Sequence, residues 1–259
     1  MTEPLSLSWG ARGDDGVCTV ALNRPGAGNA LSAELVAGLV AAIDEAAARR
    51  PRLLVLRGEG RHFCTGFDLS QLDDESDDSL LARFCRIELM LQKVHRAPFP
   101  TLAIAHGRTV GAGADLFAAC THRLIAAGTQ LAFPGASGFG LVLGTRRLAQ
   151  RVGAERARRW VETGLAIGTD ESLATGLATG AHDDASGAVD IARCLAASPT
   201  APAGNPLLES ALAAADPVHD HVDLALLVRS AAVCGLKARI AAYVERGKQR
   251  ASPSSSSPS

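Results

Sequence analysis

Apolar residues along this chain fall into two kinds of spacing. Short unbroken runs, Val17 to Leu22, Leu53-Leu54-Val55-Leu56, Leu102-Ala103-Ile104-Ala105 and Leu124-Ile125-Ala126-Ala127, predict buried strands. Between them lie stripes of helical period. Leu35, Leu39, Val40, Ile43 and Ala47 predict an amphipathic helix with Ser32 as its N-cap. A second stripe, from about Leu80 to His95, is stopped by Ala97-Pro98-Phe99-Pro100. A third helix, Gly113 to Cys120, opens directly out of a glycine-bearing loop. Strands alternating with helical crossovers predict an α/β fold with mainly parallel sheets.

Two segments interrupt this pattern. Asp73-Asp74-Glu75-Ser76-Asp77-Asp78 is acidic and serine-bearing, and predicts a solvated, mobile stretch. Ser198-Pro199-Thr200-Ala201-Pro202-Ala203-Gly204-Asn205-Pro206 predicts a linker by its proline and glycine content. Helical patterns resume over Leu207 to Ala215 and from Val222 to about Arg246, and the serine-proline run 252–259 predicts disorder. The chain therefore divides into a core, 1–195, a C-terminal helical region, 196–250, and a tail, 251–259. The tail helices carry Leu224, Leu227, Val228, Ala231, Leu236 and Ile240, more apolar surface than a small appendage buries alone, which predicts self-association.

At 259 residues, one large domain with an appendage can enclose a catalytic cleft. A net charge of -1 gives no reason to expect nucleic acid or an anionic membrane as partner, so small-molecule chemistry is the expectation. Six cysteines are scattered without metal-site spacing, which predicts reduced, mostly buried thiols and no zinc. Neither a signal-like N-terminus nor a membrane-spanning run is present in the sequence, and a cytoplasmic protein is expected.

The chemistry concentrates in two loops. Phe63-Cys64-Thr65-Gly66-Phe67-Asp68-Leu69 follows one predicted strand, and His106-Gly107-Arg108-Thr109-Val110-Gly111-Ala112-Gly113-Ala114-Asp115-Leu116 follows another. Glycine lets each backbone turn tightly and aim a peptide N–H at a ligand. Two such N–H groups converging on one oxygen form an oxyanion hole, and the helix that opens beside the second loop adds its positive end.

These residues resemble the crotonase (enoyl-CoA hydratase/isomerase) superfamily, with its F-C-A-G-A-D-L-like first loop and G-x-x-x-G-G-G-x-E-L-like second loop. Leu22-Asn23-Arg24-Pro25 through Asn29-Ala30-Leu31-Ser32 resembles the family's opening segment, and Phe139-Gly140-Leu141-Val142 with Gly144-Thr145-Arg146-Arg147-Leu148 extends the likeness. The resemblance implies a spiral of ββα units with a C-terminal helical oligomerisation region, assembling as a trimer or a hexamer. It implies an acyl-CoA thioester as substrate, held by the amides of Phe67 and Ala112, with no cofactor beyond the CoA of the substrate. Arg24, Ala30, Leu31, Thr65, Gly66, Asp68 and Gly111 are implied in contacts to substrate or CoA.

Asp115 stands where the family's hydratases carry a catalytic glutamate, which implies a proton-transferring role. An acid in a first helical turn also answers the helix dipole, so both readings stand. The family's second carboxylate, in a Pro-Glu pair, is replaced by Gly135 after Pro134, and no Asp or Glu occurs from Leu124 to Ala154. Enoyl-CoA hydratase or isomerase chemistry is the expectation, and because a lone carboxylate suits moving one proton between carbons better than activating water, isomerisation carries more weight than in a two-glutamate relative. Decarboxylation, thioester hydrolysis and a catalytically silent assembly subunit are the alternatives. Ser137, Thr145 and Arg146 are weak substitutes for the missing acid. His62 is expected at the surface, His106 bonded to loop backbone, and Cys64 packed as a structural thiol. The arginines at 146, 147, 151, 156, 158 and 159 are expected on solvated faces of two helical segments or in intersubunit ion pairs.

Overall fold

In the computed structural model, which describes residues 3–10, 16–183, 191–192 and 219–251, the predicted apolar runs form the centre of a six-stranded sheet. Its strands, in spatial order, are β1 (Leu5–Trp9), β2 (Val17–Leu22), β3 (Leu53–Gly58), β4 (Thr101–Ala105), β6 (His122–Ala126) and β8 (Gly180–His182). The β1–β2 pair is antiparallel and every later pair is parallel. β4 is buried at every position, as a parallel strand with both faces covered must be. A second, smaller sheet pairs β5 (Arg108–Val110) with β7 (Gln130–Ala132). Isolated bridges join Leu31 to Phe67, Cys64 to Thr109 and Leu131 to Ile167. After a main strand, the chain therefore makes a short second extended contact before its helix. This is the ββα spiral that the resemblance implied.

The helices begin where capping allows. Ser32 accepts the Leu35 N–H at 3.2 Å and starts α1 (Ala33–Arg49), which buries Leu35, Leu39 and Ile43 as expected. α2 (Asp77–His95) begins three residues earlier than its apolar stripe predicts, because Ser76 and Ser79 form a reciprocal capping box. The reading of 73–78 as a loose acidic stretch is corrected accordingly. Glu75 pairs with Arg83 at 2.5 Å, and the Asp77 carboxylate accepts the N–H groups of Gly235, Leu236 and Lys237 at 2.9, 3.1 and 2.8 Å.

α3 (Ala112–Ala119) is buried along its whole length. α4 (Gly135–Phe139), α5 (Thr145–Val152), α6 (Ala154–Thr163) and α7 (Thr169–Ala174) follow. The single helical pattern predicted from Val222 to Arg246 is in fact two helices, α8 (Asp220–Ala231) and α9 (Leu236–Ala251). They part at Gly235, whose φ of +79° lies outside the right-handed helical region. α8 packs on α2, and α9 on α2 and α4, so Leu227, Ala231, Leu236 and Ile240 are buried by their own chain. The argument that these side chains need another copy to cover them is thereby corrected; Val222 and Leu226 do stay exposed. The predicted linker 198–206, the helix 207–215 and the tail 252–259 lie outside the described residues. Among the described residues, no helix is long and apolar enough to cross a membrane, and the cysteines are free thiols.

Candidate active site

The two glycine loops meet backbone to backbone. A Cβ placed on Gly66 (φ +98°) would stand 2.6 Å from the Val110 carbonyl oxygen and 3.5 Å from the Ala112 nitrogen. A Cβ on Gly113 would stand 2.2 Å from the Cys64 carbonyl oxygen. Real side chains do not fit at such distances, so glycine is what lets the loops touch. The Cys64 carbonyl accepts the Val110 N–H at 3.0 Å, which fixes their register. Phe67 and Ala112 both face one pocket, and neither backbone N–H meets an acceptor among the described residues. The Phe67 ring is held by stacking on Phe84, centroids 4.3 Å apart, and by the Arg83 guanidinium 4.1 Å from its centroid. Arg83 in turn donates to the Asp68 carbonyl at 3.0 Å, so the loop carrying the Phe67 amide is braced from α2.

Room in the pocket amounts to about 100 Å³. Opposite chemistries meet there: Thr65, Gly66, Phe67, Gly111, Ala112 and Asp115 come from the loops, while Phe139, Leu141, Leu143, Val161, Ile240 and Tyr243 supply apolar and aromatic surface. Gly135 also lines the pocket, and Asp115 is the one carboxyl group among the lining residues. Four predicted contact residues stand outside the lining. Arg24 donates to the Ala30 carbonyl at 2.6 Å and pairs with Asp68 at 2.7 Å, and the Leu31 N–H donates to the Gly66 carbonyl at 2.7 Å. They brace the first loop from behind. Burial would raise the Asp68 pKa, but bonds from Ser70 and Arg24 outweigh it and hold the carboxyl below its usual value.

Asp115 is 6 % exposed. Its Oδ1 lies so close to Gly144 that a Cβ there would stand 2.2 Å away, and no described residue donates a hydrogen bond to the carboxyl. Burial pushes its pKa well above the usual carboxylate range; Arg147 pulls it back and Glu88 pushes it further up. Behind it, Arg147 and Glu88 form a two-pronged pair at 2.9 and 2.6 Å, each side chain 1 % exposed. Gln92 donates to Glu88 at 2.9 Å, and Asp223 of α8 accepts from Arg146 Nε at 3.0 and 2.9 Å. The expectation of solvated arginines is therefore corrected for Arg147, which needs its carboxylate because it lies in the core, and for Arg151, which donates to the carbonyls of Ala118 and Cys120. Arg158 and Arg159 are exposed, as predicted. Sequence reasoning missed Glu88. Its signal was a charge inside the apolar stripe Leu80, Phe84, Ile87, Leu91, where an unpaired carboxylate would be costly.

Of the remaining candidates, Thr145 lines the pocket. His106 Nε2 lies 2.9 Å from the Gly60 carbonyl, bonding loop backbone as expected. His62 Nδ1 accepts the Arg108 N–H at 3.1 Å, and burial with neighbouring cations pushes its pKa down. Burial pushes the Cys64 thiol up to about 12, which keeps it protonated and unreactive. The Thr145 hydroxyl faces the Leu143 carbonyl at 3.4 Å and the Ser137 hydroxyl the Pro134 carbonyl, also at 3.4 Å. Among the described residues, no group of three or more His, Cys, Asp or Glu side chains is arranged to hold a metal ion.

Two sheets joined by a spiral of ββα turns, with paired glycine loops at one pocket, define a crotonase-like protein. Residues 12–249 match the enoyl-CoA hydratase/isomerase family, and the chain belongs to that family. It is similar to a crystal structure described as an enoyl-CoA hydratase/isomerase from Bordetella parapertussis, with 39% identity and a TM-score of 0.85 over 94% of this chain and 99% of the other. A probable enoyl-CoA hydratase of Bacillus subtilis (strain 168) is 32% identical over 192 residues, 71% of this chain and 72% of that protein. An enoyl-CoA hydratase/isomerase structure from Mycobacterium paratuberculosis shares the fold at 22% identity, with a TM-score of 0.79 over 93% of this chain and 98% of the other.

Proposed function

We propose that this chain is an enzyme that binds an acyl-CoA thioester, stabilises its enolate with the N–H groups of Phe67 and Ala112, and moves a proton along the acyl chain with Asp115. The observation that carries this reading is that two unpartnered amides and a single carboxyl share one largely apolar pocket. Each amide aimed at the developing oxyanion contributes about 2.7–4 kcal/mol to lowering the barrier, and a positioned acid or base about 10²–10⁴-fold in rate. Arg24, whose side chain is part-exposed, is assigned to the outer, CoA-facing side of the first loop, while buried Ala30, Leu31 and Asp68 support that loop from behind.

Isomerisation of an enoyl double bond uses these parts economically. Ionised Asp115 takes a proton from C2 of a 3-enoyl thioester, and the electron pair left behind delocalises onto the thioester oxygen between the two amides. Protonated Asp115 then returns the proton to C4, and the double bond settles between C2 and C3. Hydration needs, in addition, a second group to orient and activate water, and Gly135 offers no side chain for that. A pocket walled by Phe139, Leu141 and Ile240 keeps bulk water from trapping the enolate.

The test is deuterium uptake from D₂O into 3-butenoyl-CoA, followed by NMR. Asp115→Asn keeps the shape and loses the basic oxygen, so exchange should fall about 10²–10⁴-fold while thioester affinity stays within a few-fold. Equal exchange in both proteins removes Asp115 from the mechanism. Hydration outpacing exchange in the wild type assigns water addition, and release of free CoA assigns thioester hydrolysis.

A further inference from the structure

We propose that the buried Arg147–Glu88 pair acts as a positioning device that sets how readily Asp115 holds and releases its proton; the inference rests on the reading of Asp115 as the proton carrier. A carboxyl in an apolar pocket with no hydrogen-bond donor strongly resists ionisation. To accept a proton it must first be an anion, so something nearby has to favour the charge. Arg147 is placed for this. α5 packs on α3, Gly144 lies against the Asp115 carboxyl just ahead of the first turn of α5, and the Nε–H of Arg147 is buried with no acceptor among the described residues.

A bare guanidinium there would overshoot and trap the anion. Glu88 prevents that by taking both Nη groups of Arg147, and Gln92 fixes Glu88 in turn. The other charges around α3 are already engaged. Arg146 of α5 pairs with Asp220 and Asp223 of α8, Asp220 also pairs with Arg96, and Arg151 donates to carbonyls at the far end of α3. Exposed Arg108 of β5 takes the Nδ1 of His62 through its backbone N–H. Arg147 and Glu88 therefore act on Asp115 in opposite senses, Arg147 favouring its anion and Glu88 opposing it, while Asp223 also accepts from Arg147 at 3.4 Å.

This arrangement predicts opposite displacements from the two halves of one salt bridge. The Asp115 carboxyl would be followed by ¹³C NMR as a function of pH, with Asp115→Asn identifying its resonance, and the pH profile of deuterium exchange measured alongside. In Glu88→Gln the midpoint should move down by at least half a pH unit, a threefold change in proton concentration. In Arg147→Gln it should move up by as much. Arg147→Lys, which keeps the charge and loses the fork, should restore the midpoint toward the wild-type value. Arg147→Gln leaves Glu88 buried without its cation, and Glu88→Gln leaves Arg147 with only its 3.4 Å contact to Asp223, so each is checked for cooperative melting, and the Glu88→Gln/Arg147→Gln double variant, which removes the charges of the pair, serves as the control, with a midpoint above the wild type. Midpoints that stay in place, or that move the same way in both single variants, overturn the proposal. Failure of the functional reading shows separately, as undiminished exchange in Asp115→Asn.

Discussion

The two sides of the pocket are built on opposite plans. On the loop side the polar atoms are two backbone amides and the one carboxyl of Asp115, and the close approach of the loops depends on glycines whose contribution is to have no side chain. On the helical side the surface is made wholly of side chains, Phe139 of α4 and Ile240 and Tyr243 of α9 among them. Chemistry and shape are thus encoded separately. The loop side is fixed by two contiguous segments, while the helical side draws on residues about a hundred positions apart in the chain. One side should respond to mutation in rate, the other in preference.

The sharpest way to break this comparison is to remove a backbone donor without touching any side-chain surface. Ala112→Pro deletes the N–H at the first position of α3, where proline is tolerated. Deuterium exchange should fall about 10²–10³-fold, with the melting curve still cooperative. Exchange within a few-fold of the wild type would take the Ala112 amide out of the oxyanion hole.

A smaller, qualitatively different effect belongs to the helical side. Phe139→Ala enlarges the apolar end of the pocket, where a single methylene is worth roughly 1–3 kcal/mol. The ratio of kcat/KM for an eight-carbon over a four-carbon enoyl-CoA should rise by about tenfold. A loss of rate on both substrates with an unchanged ratio would show that Phe139 supports the loops instead of bounding the acyl chain.

The smallest effect is on stability, and it links the two sides. Asp115 binds its proton more tightly in the folded state than in the unfolded one, so folding stability drops as pH rises from the ordinary carboxylate range through the raised pKa of the folded protein. Asp115→Asn escapes that loss. Its Tm should exceed the wild-type value at pH 8, with the gap closing as pH is lowered toward about 4. A wild type as stable as the variant at pH 8 would mean that Asp115 is ionised without cost.

Much of the loop side was legible because glycine identity reports backbone conformation directly. The spacing of Gly66, Gly111 and Gly113 after apolar runs located both loops, and Ser32 located the start of α1. The three-residue strands β5, β7 and β8 were not legible, since period two cannot be recognised over so few positions and their pairing is supplied by the spiral. α4 was equally hidden, being five residues long with a glycine at each of two positions. Arg147 read as one of a run of solvated arginines and Glu88 was not singled out, because a sequence shows charge but not burial, and their pairing spans 59 residues. The acidic run 73–78 misled for the same reason: its partners, Arg83 and the start of α9, are distant or displaced in the sequence.

That last contact has a consequence for how the polypeptide is held together. The Asp77 carboxylate, its pKa lowered by the amide of Lys237 and, against some desolvation, by those of Gly235 and Leu236, fastens the beginning of α9 to the beginning of α2. The helix that closes the pocket is thus tethered by hydrogen bonds to the first half of the molecule. These bonds fix the first turn of α9, and with it the approach of Tyr243, seven residues further on, to the pocket wall.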